Sequence, residues 1–66
     1  MKLTINGETT EITMAETLSE LLEELQIVSG RVAVEVNQSV IRKAEFGTFR
    51  LHDGDTVEIV NFVGGG

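Results

Sequence analysis

Polar and apolar residues alternate along the start of the chain in a pattern that predicts a β-hairpin. Leu3 and Ile5 alternate with polar neighbours as far as Asn6-Gly7, a dipeptide typical of tight hairpin turns. The alternation resumes in ETTEIT, where four of the six residues are β-branched and favour an extended conformation. We therefore expect two strands joined by a turn at Asn6-Gly7.

The hydrophobic period then changes to that of an amphipathic helix in TLSELLEELQI. The apolar positions follow the spacing i, i+3, i+4, i+7 of a single helical stripe, at Leu18, Leu21, Leu22 and Leu25. Thr17 and Glu20 match a capping box, in which each side chain satisfies a backbone amide of the first turn. Thr13 and Glu16 have the same spacing one turn earlier, so the pattern leaves two possible starts.

The second half of the chain predicts three further extended segments. RVAVEVN alternates strictly and should direct Val32, Val34 and Val36 into the core, with a turn following at Asn37-Gln38. SVIRK indicates a short strand around Val40 and Ile41. AEFGTFRLHDGD is irregular and is expected to supply core residues, and TVEIVNFV is the last strand. The core residues expected from the irregular stretch are Phe46, Phe49 and Leu51.

A hairpin, one helix and further strands, in this order, is the order of a β-grasp domain. We therefore predict an α+β, β-grasp (ubiquitin-like) fold with a mixed sheet of four to five strands and one main helix packed across one face. The first and last strands would pair in parallel at the centre of the sheet, with the helix in the crossover. We place the domain at residues 1–63 and a flexible glycine tail at residues 64–66, because glycine loses the most backbone entropy on ordering.

Composition excludes several classes of function. The 66 residues include no cysteine, which excludes a disulfide, a thiolate metal site and a thiol nucleophile, and the single histidine leaves too few ligands for structural zinc. A net charge of -6, with only five Lys and Arg, argues against nucleic acid or an anionic membrane as a partner. No apolar run approaches a membrane span and the N-terminus has no signal pattern, so we expect a cytoplasmic protein without metal.

The polar residues form no catalytic constellation. His52 is expected to be a solvated loop residue, and Asp53 and Asp55 to be turn formers, because a calcium loop needs further oxygen ligands. Three glutamates lie off the leucine stripe and should form the water-facing side of the helix: Glu20, Glu23 and Glu24. Four basic residues are scattered along the sequence and define no anion site: Arg31, Arg42, Lys43 and Arg50.

The last strand carries the candidate docking site. Alternation directs Val57 and Ile59 towards the helix and leaves Val60 and Phe62 on the open face of the sheet, beside the outward Ala33. Exposed apolar side chains that cluster indicate a surface for a partner. The alternative is that the sheet edge curls and that Phe62 covers the core.

The sequence ends in three glycines, which can be inert or can themselves be the working part. Three extended residues reach at most about 10 Å and carry no side chains, so they fit a narrow channel. We expect Gly64, Gly65 and Gly66 to enter the active site of a partner enzyme, which would bring the Gly66 carboxylate to the groups that react with it.

The whole chain resembles the ThiS family, the sulfur carrier proteins of thiamine (thiazole) biosynthesis. The resemblance rests on VNQSVIRKAEF and above all on HDGDTVEIVNFVGGG, which combines the DGD turn, the strand EIVNFV and the terminal glycines. The small subunit of molybdopterin synthase usually has a proline before its glycines, and this chain has no proline. The third glycine, Gly64, departs from the two of many carriers and leaves the end of the rigid domain open.

The resemblance implies a function for the last residue. A ThiF-type activating enzyme would use ATP to adenylate Gly66, and a sulfur supply derived from a cysteine desulfurase would convert it to a thiocarboxylate. A ThiG-type thiazole synthase would then take the sulfur. The chain itself would bind no cofactor and would be a protein co-substrate, not an enzyme. Three alternatives remain: the carrier subunit of molybdopterin synthase, a ubiquitin-like modifier of lysines, and a β-grasp interaction module with inert glycines.

Overall fold

The predicted hairpin, helix and final strand assemble into a mixed five-stranded sheet with one helix. The computed structural model describes residues 1–62. The strand order is β2-β1-β5-β3-β4, with β1 and β5 parallel at the centre and the other neighbours antiparallel. The elements are β1 (Lys2–Ile5), β2 (Glu8–Glu11), α1 (Leu18–Glu24), β3 (Val32–Val36), β4 (Ser39–Ile41) and β5 (Thr56–Asn61). Short 3-10 turns cover Ser29–Arg31 and Lys43–Glu45. The β-grasp prediction is confirmed.

The helix begins at the later of its two possible starts. Thr17 is the N-cap, and its hydroxyl accepts the amide of Glu20 while the Glu20 carboxylate accepts the amide of Thr17. Thr13 makes no cap of its own, because its amide and hydroxyl both donate to the carboxylate of Glu24. The helix ends before Gln26, whose φ of 60° lies in the left-handed region.

One hydrophobic core fills the space between the helix and the sheet. Of the four stripe leucines, Leu18, Leu21 and Leu22 are fully buried, whereas Leu25 is half-buried because it lies at the C-cap. The irregular segment contributes Phe46 and Leu51 as buried residues, and Phe49 only as a half-buried one. The segment between β2 and α1 adds Ile12 and Ala15, and the inward faces of the strands complete the core with Leu3, Val32, Val34, Val36, Ile41, Val57 and Ile59.

Both predicted tight turns are present, and each has two successive residues in the left-handed region. Asn6 and Gly7 have φ values of 49° and 85°, and Asn37 and Gln38 have φ values of 51° and 72°. Two successive left-handed residues match the twist of the adjoining strands and favour Asn-Gly. Gln38 therefore occupies a position that suits glycine better.

We expect Gln38→Gly to stabilise the domain by about 0.5 kcal/mol. Glycine removes the cost of the left-handed backbone at this position, and this gain exceeds the loss that comes from the greater entropy of the unfolded chain. Urea unfolding measures the change. Asn37→Gly is the matched control and should destabilise, because Asn37 donates to Asp55 at 3.0 Å and accepts the amide of Thr56 at 3.0 Å. Destabilisation by both substitutions would contradict the assignment of strain to Gln38.

Candidate functional site

Strand β5 separates the residues that hold the fold from those that face outward. Val57 is fully buried and Ile59 is 9% exposed, whereas Glu58 and Val60 point to the other face of the sheet. The whole of β3 pairs with β5, and the register places Ala33 directly opposite Val60. The strand is thus fixed on its buried side while its outer side remains accessible.

An apolar surface lies on that outer side, where the alternation predicts it. Val60 and Phe62 are 60% and 53% exposed, and Ala33 is exposed beside them. Sequence reasoning missed a fourth member: Val40 on β4 is 70% exposed and lies opposite the outward Glu35. The signal that could have found it is the alternation within β4, because Ile41 is buried and its neighbour Val40 must face the other side. We call these four residues the docking face; their role in docking stays a prediction.

Phe62 is held at the end of the sheet without entering the core. Its amide donates to the carbonyl of Arg31 at 2.9 Å, which extends the ladder between β3 and β5 by one residue. The ammonium nitrogen of Lys43 lies 5.0 Å from the centroid of the Phe62 ring, within the range of a cation–π contact. The ring is therefore oriented and half-exposed, which contradicts the alternative in which it covers the core.

Asn6 fixes β5 from the other side. Its side chain accepts the amide of Ile59 at 2.7 Å and donates to the carbonyl of Ile59 at 3.2 Å. Its own backbone amide donates to the carbonyl of Val57 at 2.9 Å. Because β1 ends at Ile5, the Asn6 side chain continues the pairing of β1 with β5 beyond the end of the strand.

The DGD turn, residues 53–55, lies directly before strand β5. Asp53 accepts the amide of Lys2 at 2.6 Å, and Asp55 accepts the amide of His52 at 2.8 Å, so both carboxylates act as the predicted turn formers. Gly54 has a φ of 90°, which favours glycine. His52 is exposed, with its Nδ1 4.0 Å from Asp55. These contacts belong to the loop that leads into β5.

The carboxylates of two helix glutamates bind backbone amides: this confirms the capping role predicted for Glu20 and corrects the role of Glu24, which was predicted only to face water. The Glu20 carboxylate accepts the amides of Glu16 and Thr17 at 2.8 and 3.0 Å. The Glu24 carboxylate accepts the successive amides of Thr13, Met14 and Ala15 at 3.1, 3.1 and 2.9 Å. Hydrogen bonds from backbone amides lower the pKa of both carboxyl groups. They fasten the loop before the helix and are occupied as acceptors, unlike a catalytic carboxylate pair.

The Glu24 contact makes a prediction about acid stability. The amide of Thr13, ahead of those of Met14 and Ala15, lowers the pKa of folded Glu24 below its ordinary value of 4.5. Its contribution is therefore complete above about pH 4.5 and is lost as the pH falls through the folded pKa. We expect Glu24→Gln to lower the free energy of unfolding at pH 7 and to flatten its decrease below about pH 4.5, as measured by urea unfolding.

Glu23→Gln is the control for Glu24→Gln, because the exposed Glu23 lies on the same helix and its carboxylate accepts no hydrogen bond from residues 1–62. The control should leave the midpoint and its pH dependence nearly unchanged. Equal effects of the two substitutions would indicate general charge repulsion and would contradict a specific role for Glu24.

Two kinds of site are absent from residues 1–62, the part of the chain that the structure describes. Residues 1–62 contain no group of three or more His, Asp or Glu side chains that could hold a metal ion. Within the same range, no helix is long and apolar enough to span a membrane. The predicted tail residues Gly64, Gly65 and Gly66 lie outside the described part of the chain, as does the predicted boundary after residue 63.

The sequence matches a family model along almost its full length. The model is that of the ThiS family, and it matches residues 3–66, which include the last strand and all three terminal glycines. The chain belongs to the ThiS family. A sulfur carrier protein ThiS from Bacillus subtilis is 42% identical over 50 residues, which are 76% of each chain.

The chain is also similar to part of a larger protein and to a solved structure. A thiazole synthase from Paramagnetospirillum magneticum is 44% identical over all 66 residues, and the chain spans about a fifth of the length of that protein. The crystal structure of the thiamine biosynthesis protein ThiS from Geobacter metallireducens is 38% identical, with full coverage of both chains and a TM-score of 0.85.

Proposed function

We propose that the chain is a sulfur carrier of thiamine biosynthesis that holds sulfur as a thiocarboxylate on Gly66. The observation that carries the proposal is the family match over residues 3–66, which extends to that glycine. A chain without cysteine has no thiol on which to carry sulfur, which also favours the terminal carboxylate. The chain then acts as a protein co-substrate, and its partners catalyse the reactions.

The chemistry requires activation of the carboxylate. A ThiF-type enzyme uses ATP to join AMP to the Gly66 carboxylate and releases pyrophosphate, because a carboxylate oxygen is itself a poor leaving group. A persulfide supplied through a cysteine desulfurase forms a carbon–sulfur bond as AMP leaves. A second thiol then breaks the sulfur–sulfur bond, which leaves the thiocarboxylate and a disulfide.

The recipient of the sulfur in this proposal is a ThiG-type thiazole synthase. Similarity to thiazole synthases from two organisms, at 44% and 38% identity, supports a functional connection between this domain and that activity. The docking face lies where β5 leads towards the glycines, so it would hold the domain against each partner while Gly64, Gly65 and Gly66 enter the active site. Cytoplasmic localisation is part of the proposal, since ATP-dependent activation takes place there.

Intact mass tests the proposal. The chain is incubated with the cognate activating enzyme, ATP and a persulfide donor. We expect an AMP adduct, followed by an increase in mass equal to the difference between sulfur and oxygen. Removal of Gly66 should abolish both changes. Unchanged mass of the intact chain with active cognate enzymes would contradict the proposal.

Addition of thiazole synthase separates the pathways. We expect the sulfur to leave the chain when that enzyme and its small substrates are supplied. Retention of sulfur with thiazole synthase, and its loss to molybdopterin synthase, would assign the chain to the other carrier class. Attachment of the chain to lysines, visible as a ladder on a denaturing gel, would identify a protein modifier.

A further inference from the structure

The fold brings together three basic residues that looked scattered in the sequence. Strands β3 and β4 are antiparallel, so the start of β3 and the end of β4 lie at the same end of the sheet. Strand β5 is antiparallel to β3 and finishes at that end. Arg31 directly precedes β3, Arg42 directly follows β4, and Lys43 begins the next turn. A chain with only five Lys and Arg thus has three of them where its last strand ends.

The contacts at this end of the sheet leave the three basic side chains available to a partner. The Lys43 ammonium lies over the Phe62 ring and donates to the carbonyl of Gly30 at 3.0 Å. Arg31 is exposed and uses its carbonyl, not its guanidinium, to bind Phe62. Arg42 is also exposed. Ion pairs within residues 1–62 involve none of these three cations: they join Met1 to Glu11 and Arg50 to Glu16, and the His52 Nδ1 lies 4.0 Å from Asp55.

The opposite end of the docking face is acidic. Glu35 and Glu58 lie directly opposite each other on β3 and β5, on the outer side of the sheet. Like charges in this arrangement disfavour folding, and none of the ion pairs in residues 1–62 neutralises them. Phe62 lies four positions after Glu58, a distance of roughly 13 Å along the extended chain. Val60 and Ala33 lie between the two charged ends.

We propose that the apolar docking face lies between two opposite charges, a cationic end at Arg31, Arg42 and Lys43 and an anionic end at Glu35 and Glu58. The partner it fits is a protein surface with an apolar centre, acidic side chains facing Lys43 and a basic side chain facing the glutamate pair. Such complementarity excludes the reversed orientation, because reversal would bring like charges together on both sides. The charges thus set the direction in which β5 meets the partner.

The same cations would also suit a phosphate group, but the arrangement favours a protein. Lys43 is held over an aromatic ring beside Val60 and Ala33, so an ion bound there would also contact apolar surface. The glutamate pair on the same face would repel a polyanion that extends along it. An apolar centre between opposite charges is typical of a protein interface with a charged rim.

The experiment measures binding of the intact chain to the cognate ThiF-type enzyme by calorimetry at low salt. We expect Lys43→Glu to weaken binding by about tenfold, and Glu58→Lys to weaken it by several-fold, because each places like charges face to face. Both losses should shrink when the salt concentration is raised, since the charges are exposed. Lys43→Arg should retain near wild-type affinity.

Two controls change the net charge equally at distant positions. Lys2→Glu adds the same charge as Lys43→Glu at the far end of the sheet, and Glu23→Lys reverses a charge on the helix. Both should change affinity less than twofold. Equal losses for Lys43→Glu and Lys2→Glu, or tighter binding of Glu58→Lys, would overturn the proposal. Binding of inorganic phosphate or ATP by the isolated chain, abolished in Lys43→Glu, would also overturn it in favour of an anion site.

Stability supplies a second, independent measurement. Because Glu35 and Glu58 repel each other, Glu58→Gln should raise the midpoint of thermal unfolding while it weakens binding. A lower midpoint would contradict the repulsion on which the anionic end depends.

The inference rests on the proposed function for the choice of partner, but the two fail in different ways. If the wild-type chain binds the enzyme with this charge dependence yet gains no sulfur, the carrier function is wrong and the proposal of oppositely charged ends stands. If sulfur transfer proceeds and the charge reversals leave affinity unchanged, the docking proposal is wrong and the carrier function stands.

Discussion

Phe62→Asp is expected to weaken binding to the cognate activating enzyme by about 100-fold, because it removes an aromatic side chain from the docking face. The ring is half-exposed and oriented by Arg31 and Lys43, so it is available to fill a partner's pocket with little loss of side-chain entropy. Aspartate offers no apolar area and must be desolvated in the complex. Calorimetric titration of the enzyme with the variant measures the loss.

The same substitution should leave the fold intact. Phe62 follows the last residue of β5 and is outside the buried core, so the free energy of unfolding should change by less than about 1 kcal/mol. Met14→Asp is the matched control, because Met14 is 80% exposed and lies in the loop before the helix. It should bind normally. Unfolding of Phe62→Asp, or equal losses of binding in both variants, would contradict the role assigned to Phe62.

Local patterns were sufficient to predict the elements and their buried sides. The alternation of Val32, Val34 and Val36 identifies both the strand and its inward face, because side chains in a strand point to opposite sides with a period of two. The leucine spacing does the same for the helix. Leu25 is the exception: the left-handed Gln26 ends the helix, and nothing in the hydrophobic pattern marks that position.

Contacts between distant parts of the chain could not be predicted in the same way. The carboxylate of Glu24 reaches the amides of a loop about ten residues earlier, so a residue that should face water becomes a structural acceptor. Asn6 was assigned only to its turn, yet its side chain binds Ile59, 53 residues away. The positions of polar residues along the sequence follow no period from which their hydrogen-bond partners could be predicted.

The candidate site likewise contains some residues that local patterns predict and others that depend on contacts between distant parts of the chain. Its apolar members Val60 and Phe62 were found because they alternate with Val57 and Ile59 on one strand. Its charged ends were not, because Lys43 and Phe62 come together only when the order and direction of three strands are known. The inward and outward sides of the last strand can therefore be predicted from the sequence, whereas the charged residues around it can be placed only once the sheet topology is known.

Asn6→Ala is expected to lower the free energy of unfolding by about 2–3 kcal/mol, the largest stability effect that we predict at a polar residue. The substitution removes both side-chain hydrogen bonds to Ile59 and leaves its amide without that acceptor, at about 1 kcal/mol or more for each bond. Alanine must also adopt the left-handed backbone that Asn6 has, with a φ of 49°. For a domain of this size, the midpoint of thermal unfolding should fall by roughly 10–20 °C.

Asn6→Gly separates the two causes, because glycine accepts the left-handed backbone and lacks only the side chain. It should lose about 1–2 kcal/mol, less than alanine but still measurable by urea unfolding. Hydrogen exchange should show the Ile59 amide less protected in both variants, since it donates to Asn6. Stability of Asn6→Gly equal to wild type would assign the whole effect to the turn. A loss in both variants would instead show that Asn6 fastens β5 beyond the end of β1, close to the docking face that begins at Val60.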